Sequence, residues 1–100
     1  MIIYNVTVSL DPGIHDDWLQ WMKEVHIPDV MNTGFFSNNR ICRLLVDDEV
    51  TYAIQYTCKS QEKLNEYQKN HAPRLQEEHT NRYKGKFGAF RTLLEIIHEQ

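Results

Sequence analysis

The stretch ICRLLVDDEVTYAIQYTC, residues 41–58, predicts the centre of the fold. Over residues 50–58, large apolar or aromatic side chains and Cys58 alternate with the smaller or polar residues Thr51, Ala53, Gln55 and Thr57, which is the pattern of a half-buried strand. Residues 41–46 form a second apolar run with strand character, and the acidic residues 47–49 between the two runs indicate a turn. The stretch therefore predicts an antiparallel hairpin in the middle of the chain.

A strand and a helix lie on each side of this hairpin. Residues 4–10 alternate as a first strand, and apolar residues recur at helical spacing over 14–25 and again over 64–83. Alternation returns near the end, where Phe90, Thr92, Leu94 and Ile96 are predicted to face the core. The order βαββαβ predicts one domain over residues 1–100 with a ferredoxin-like α+β fold: an antiparallel four-stranded sheet with two helices on one face.

Both predicted helices contain the same unit, a histidine two positions before a proline. It occurs in EVHIPDV, residues 24–30, and in NHAPRLQ, residues 70–76. Proline lacks an N–H and clashes with the carbonyl four residues earlier, so each helix should bend at this point. The repeat is first of all architectural, and the first helix should end by Thr33-Gly34.

Composition excludes several classes of protein. A net charge of −3 offers no general attraction to nucleic acid or to anionic lipid. No apolar run approaches the roughly 20 residues of a membrane span, and the N-terminal stretch alternates like a strand rather than a signal peptide. We expect a cytoplasmic protein.

Cys42 and Cys58 lie several rungs apart on the hairpin, so they are expected to be free, mostly buried thiols.

The face of the sheet away from the helices is predicted to be mixed in character. The alternation assigns to it the following residues: Asn5, Thr7, Ser9, Arg43, Thr51, Gln55, Thr57, Arg91 and Glu95, with Ile41, Leu45, Leu93 and Ile97 among them. Such a face suits a protein interface with a few paired charges, and two sheets packed face to face would bury it. The sequence thus favours a homodimer over a solvated face with scattered apolar residues.

The segments WLQWMKEVHIPDVMNTGFF, ICRLL, YAIQY and FGAFRTLLEII together resemble a family of bacterial proteins of about 100 residues known as a domain of unknown function. The likeness covers almost the whole chain and is most specific in the first half. It implies membership of the dimeric α+β barrel group, which includes small cofactor-free monooxygenases. What the resemblance implies is the fold, dimerisation and a ligand location between the sheet and its helices, with no established reaction.

His26 is the candidate for proton transfer, because a histidine at a bent helix end beside aromatic residues could act as a general base in an apolar pocket. The alternative is structural: His26 could bind the carbonyls that Pro28 leaves unpaired. His71 and His79 lie two helical turns apart, too far to chelate one ion as i, i+4 pairs do, so no metal site is predicted. They are expected to be half-exposed.

The candidate ligand-binding residues are mostly aromatic. They are Trp18, Trp21, Tyr52, Tyr56, His71 and Arg43. The wider aromatic group could equally form plain core; its members are Trp18, Trp21, Tyr4, Tyr52, Tyr56, Tyr67 and Phe90. However, the three tyrosines predicted on the covered sheet face need hydroxyl partners, which a pocket with a polar ligand would supply. Arg43 is a candidate anchor for an anion or one half of a dimer ion pair.

Two classes of function remain open. The first is binding of a small, partly apolar molecule between sheet and helices, with or without its cofactor-free conversion. The second is a non-catalytic dimeric interaction or regulatory module. RNA binding through KGKFGAF, residues 84–90, is disfavoured, because that motif must lie on a central strand and here it precedes the fourth.

Overall fold

The computed structural model describes residues 1–100 and confirms the predicted ferredoxin-like order. The strands are β1 (Ile2–Leu10), β2 (Phe36–Arg43), β3 (Val50–Cys58) and β4 (Phe87–Glu95). Between β1 and β2 lie a 3₁₀ turn (Pro12–Ile14), α1 (His15–Trp21), a π-helical turn (Met22–His26) and α2 (Ile27–Met31). Between β3 and β4 lie α3 (Gln61–Asn70) and α4 (Ala72–Arg82).

The sheet is antiparallel with strand order β2-β3-β1-β4. Strand β1 lies in the interior of the sheet and pairs along its whole length with β3 on one side and β4 on the other. Strands β2 and β4 are therefore the edges. The basic stretch 84–90 leads into the fourth strand, as predicted, and the structure shows that this strand is an edge.

Both helices are interrupted at their His-x-Pro unit, in two different ways. Before Pro28 the helix widens into the π turn, and the Ile27 N–H bonds the Met22 carbonyl five residues earlier. The wider turn accommodates the proline without ending the helix. At the second unit the chain leaves helical geometry at His71 (φ −127°, ψ −39°) and restarts as α4. Gly34 follows the first helix with a positive φ of 81°, a conformation that glycine adopts without strain.

The core fills the space between the sheet and the helices. Six side chains are fully buried: Trp18, Val30, Ile54, Cys58, Leu64 and Leu75. Helices α1 to α4 cover β1 and β3 well, whereas every residue of β4 from Gly88 to Glu95 is exposed. The layer between sheet and helices is thus open along the β4 edge.

The structure corrects the predicted facing of β4. Arg91 lies opposite Val6, and Ala89 lies opposite Val8, so both point to the helix side of the sheet. Phe90 lies opposite Thr7 on the outer face and is 63% exposed, and is not a core residue. The alternation in this strand could not decide which set of alternate residues faces the helices, because both sets mix polar and apolar side chains.

Strand β2 requires the same kind of correction. It begins at Phe36 and ends at Arg43, so Leu45 and Val46 lie beyond it and are exposed. Arg43 lies opposite Tyr52 on the helix side, and not on the outer face. Cys42 is exposed, contrary to expectation, whereas Cys58 is buried, and both thiols are free.

Candidate functional site

An inner cavity lies between the sheet and the helices and opens toward β4. Its volume is about 200 Å³, and most of its lining is hydrophobic. The polar groups that reach it come from every layer of the fold: Tyr4, His26, Tyr56, Tyr67, Gln76, His79, Thr80 and Arg91. A side cavity of about 240 Å³ adjoins it and shares Tyr4, Gln76 and Arg91. A pocket lined by hydrophobic and aromatic side chains, into which polar groups converge, is typical of a small-molecule site.

His26 lines the inner cavity at the end of the π turn. Its ring stacks on Trp21 at 5.1 Å between ring centroids and meets the His79 ring edge-on at 5.7 Å. Its Nδ1 atom is buried and has no hydrogen-bond partner, so this nitrogen does not bind the carbonyls freed by Pro28. Burial, assisted by the charge of Arg91, lowers the pKa of His26 from 6.5 to about 4. The side chain is therefore neutral at pH 7, and one of its two ring nitrogens carries a free lone pair.

His79 is held in one tautomer by Trp18. The indole N–H of Trp18 donates to His79 Nε2 at 2.9 Å, and both residues are buried. An indole N–H can only donate, so Nε2 carries the lone pair and a neutral His79 carries its proton on Nδ1. Burial lowers the pKa of His79 to about 4, and the nearby His26 and Arg91 contribute. A charged His79 would place two donors against each other, so this contact requires the neutral form.

Three tyrosine hydroxyls and one arginine form the polar end of the inner cavity. Arg91 Nε donates to the Tyr4 hydroxyl at 3.0 Å. Burial raises the pKa values of Tyr56 and Tyr67, and each of the two is raised further by a neighbouring tyrosine. Both therefore remain neutral hydroxyl donors over the ordinary pH range.

Two of the predicted site residues, His26 and Tyr56, line the inner cavity. Trp18 does not line it; this side chain is fully buried and hydrogen-bonds the lining residue His79. Trp21 is half-buried and supports the His26 ring.

The remaining three lie elsewhere in the fold. The Tyr52 hydroxyl hydrogen-bonds His15 Nε2 at 2.6 Å, and the Arg43 guanidinium lies 5.9 Å from the Tyr52 ring centroid. His71 is half-buried and packs on Phe35 at 5.4 Å. None of the three lines either cavity.

Sequence reasoning included Tyr67 in the aromatic group that could form core or a binding site, and it missed Arg91 and His79 as cavity residues. His79 and Tyr67 lie on the same helical stripe as Leu64 and Leu75, and this spacing indicates burial. In the structure His79 is 8% exposed and Tyr67 is 3% exposed. His79 is thus buried rather than half-exposed. No sequence pattern indicates on which side of the sheet Arg91 lies, because this depends on the register between β4 and β1. No group of three or more His, Cys, Asp or Glu side chains is placed to hold a metal ion.

The fold and cavity define this protein as a member of the ferredoxin-like α+β class. Three solved structures are similar over nearly their whole length. A dimeric ferredoxin-like protein from an uncultured marine organism has a TM-score of 0.76 at 10% identity, covering 100% of this chain and 98% of the other. MhuD from Mycobacterium tuberculosis, described as a heme-degrader with two hemes bound in its active site, has 0.75 at 15%, covering 100% and 99%. An ethyl tert-butyl ether D (EthD) family protein from Bacillus halodurans has 0.70 at 11%, covering 97% and 100%.

The chain belongs to the family described as Domain of unknown function (DUF4286), whose model matches residues 1–97. The sequence-based resemblance to a domain of unknown function is thereby confirmed. No curated protein matches this sequence. No helix of the structure is long and apolar enough to cross a membrane.

Proposed function

We propose that this protein binds a small, partly apolar molecule in the inner cavity and that His26 accepts a proton from it. The observation that carries the proposal is a buried, neutral histidine with an unpartnered Nδ1 in a cavity of hydrophobic and phenolic side chains. A buried polar atom without a partner costs about 1–3 kcal/mol, so its retention in a small domain favours a role for it. The fold can hold ligands, since MhuD is described with two hemes in its active site.

The cavity limits the size of this molecule. A dry cavity of roughly 150 Å³ in another protein holds benzene. A space of about 200 Å³ therefore fits one substituted ring or an aliphatic chain of similar bulk. A larger molecule would have to extend through the β4 opening or into the side cavity.

Filling the inner cavity is expected to abolish binding. Ala89 lines the cavity from the exposed strand β4, so Ala89→Trp can place an indole in the opening with little effect on the core. In native mass spectrometry we expect the untagged protein to carry an additional mass that is released on denaturation. Ala89→Trp should lose that mass, whereas Gln20→Trp, at an exposed position of α1, should keep it.

Two results would contradict this proposal. One is a wild-type protein that carries no additional mass and shows no NMR shift of cavity residues with any single-ring fragment. The other is full retention of the bound mass by Ala89→Trp when circular dichroism shows that the variant is folded.

A second candidate function is favoured by the outer face of the sheet. Phe90 is 63% exposed and Leu94 is 41% exposed on this face. Asn5 lies on the neighbouring strand β1, between β4 and β3, and its Oδ1 is buried and unpartnered. Two of the structural neighbours are described as dimeric ferredoxin-like proteins. These observations support a homodimer joined through the outer face, and a non-catalytic module would act through this assembly.

A charge at Phe90, on the β4 side of the outer face, should dissociate this dimer. Phe90→Arg is expected to raise the dimer Kd at least about thirtyfold, because a truncated aromatic anchor typically costs 2 kcal/mol or more. Sedimentation velocity at several concentrations measures this. Val25→Arg, on the helix layer with a side chain 42% exposed, is the matched control and should not change the Kd. A wild-type monomer at high concentration, or an equal Kd for Phe90→Arg, would refute the paired-sheet assembly.

A further inference from the structure

Arg91 is the one permanently charged residue that lines the inner cavity, and it also lines the side cavity. No Asp or Glu lines either space. The ion pairs of the protein lie elsewhere: Lys63–Glu66, Arg74–Glu78 and Asp17–Arg82. Arg91 is in none of these pairs. A guanidinium without a carboxylate partner therefore lies where the two cavities meet.

Arg91 is also oriented. Its Nε bonds the Tyr4 hydroxyl at 3.0 Å, and Tyr4 itself is buried in the core. This bond uses one of the five N–H groups and leaves those on the two terminal nitrogens available. Two N–H groups of a guanidinium can bind the two oxygens of a carboxylate in parallel.

The hydroxyls beside Arg91 are donors as well. The Tyr4 oxygen accepts from Arg91, so its own hydrogen can point toward the cavity. Tyr56 and Tyr67 line the same cavity and stay protonated, because burial raises the pKa of each. Arg91 and three phenols form a cluster in which every polar group can donate a hydrogen bond. Ionised carboxylate oxygens only accept hydrogen bonds, so they complement this cluster.

We propose that the molecule bound in the inner cavity is an organic oxyanion, a carboxylate on a small apolar or aromatic body. The anionic group binds Arg91 and the Tyr4 hydroxyl, and the apolar part lies among Val6, Ile54 and Leu75 of the lining. This inference rests on the proposed function and specifies the class of ligand.

Benzoate and benzamide test the inference, because they share a shape and differ in charge. We expect wild-type protein to bind benzoate at least about tenfold more tightly than benzamide, as a charge-assisted contact requires. Arg91→Gln should remove this preference by weakening benzoate binding about tenfold while leaving benzamide binding unchanged. Arg43→Gln is the matched control, since Arg43 lies on the same sheet face at the opposite edge and lines neither cavity. Chemical-shift titrations of the three labelled full-length proteins with each probe give the six dissociation constants.

The outcomes separate the inference from the proposed function. Equal binding of the two probes to wild-type protein, with shifts at cavity residues, would overturn the oxyanion and leave small-molecule binding intact. A preference for benzoate that survives in Arg91→Gln would also overturn it. Absence of cavity shifts with both probes up to tens of millimolar would count against both proposals. Loss of the preference in Arg91→Gln alone would support the assignment.

Discussion

Acidification from about pH 7.5 to pH 5 is expected to destabilise the protein by roughly 2 kcal/mol for each of His26 and His79. Both histidines have a pKa of about 4 in the folded protein and 6.5 as the ordinary value. Between these values the unfolded chain binds protons that the folded chain does not, so stability falls as the pH decreases. The stabilisation is fully present above pH 6.5 and is lost down to about pH 4.

Urea unfolding followed by circular dichroism at several pH values measures this dependence. His79→Gln keeps an acceptor for the Trp18 N–H and removes one titrating group, so it should lose about half of the pH dependence. His98→Gln, at an exposed position near the C-terminus, serves as the control and should keep all of it. A wild-type stability that is flat from pH 7.5 to pH 5 would show that these histidines are not kept neutral by the fold.

The second large effect is expected for Trp18→Phe, which should cost about 2–4 kcal/mol of the free energy of unfolding. Trp18 has no exposed surface, so the smaller ring leaves a cavity, and His79 Nε2 loses its donor at a buried position. The unpaired nitrogen alone costs about 1–3 kcal/mol, and the lost packing adds to it. Trp21→Phe, at a half-buried ring without this hydrogen bond, should cost less.

A double-mutant cycle isolates the contact between the two residues. Trp18→Phe combined with His79→Leu should show a coupling energy of about 0.5–3 kcal/mol, because the pair shares one hydrogen bond. Denaturant midpoints of the four proteins give this value. Additive effects, or a loss below about 1 kcal/mol for Trp18→Phe, would mean that the bond does not hold His79 in place.

The sequence by itself determined the order of elements and the interruption of both helices. Local chemistry suffices for these features, because Pro28 and Pro73 act on their own turns and the alternation of residues 50–58 persists over a whole strand. It also led to the prediction that His26 is the proton-transfer candidate, and this residue lines the inner cavity. The stripe that includes Tyr67 and His79 was visible in the sequence, although the burial of His79 was not inferred from it.

The tertiary structure alone decided which groups surround His26. Trp18 and His79 are 61 positions apart, and only the packing of the two helical segments joins them. Arg91 reaches the cavity because β4 pairs with β1 in one particular register, and a shift of one residue would place it on the outer face. The alternation in β4 fits both registers, since each of its two sets of alternate residues contains polar and apolar side chains. The polar end of the candidate site therefore depends on strand pairing between residues distant in sequence, which local patterns do not encode.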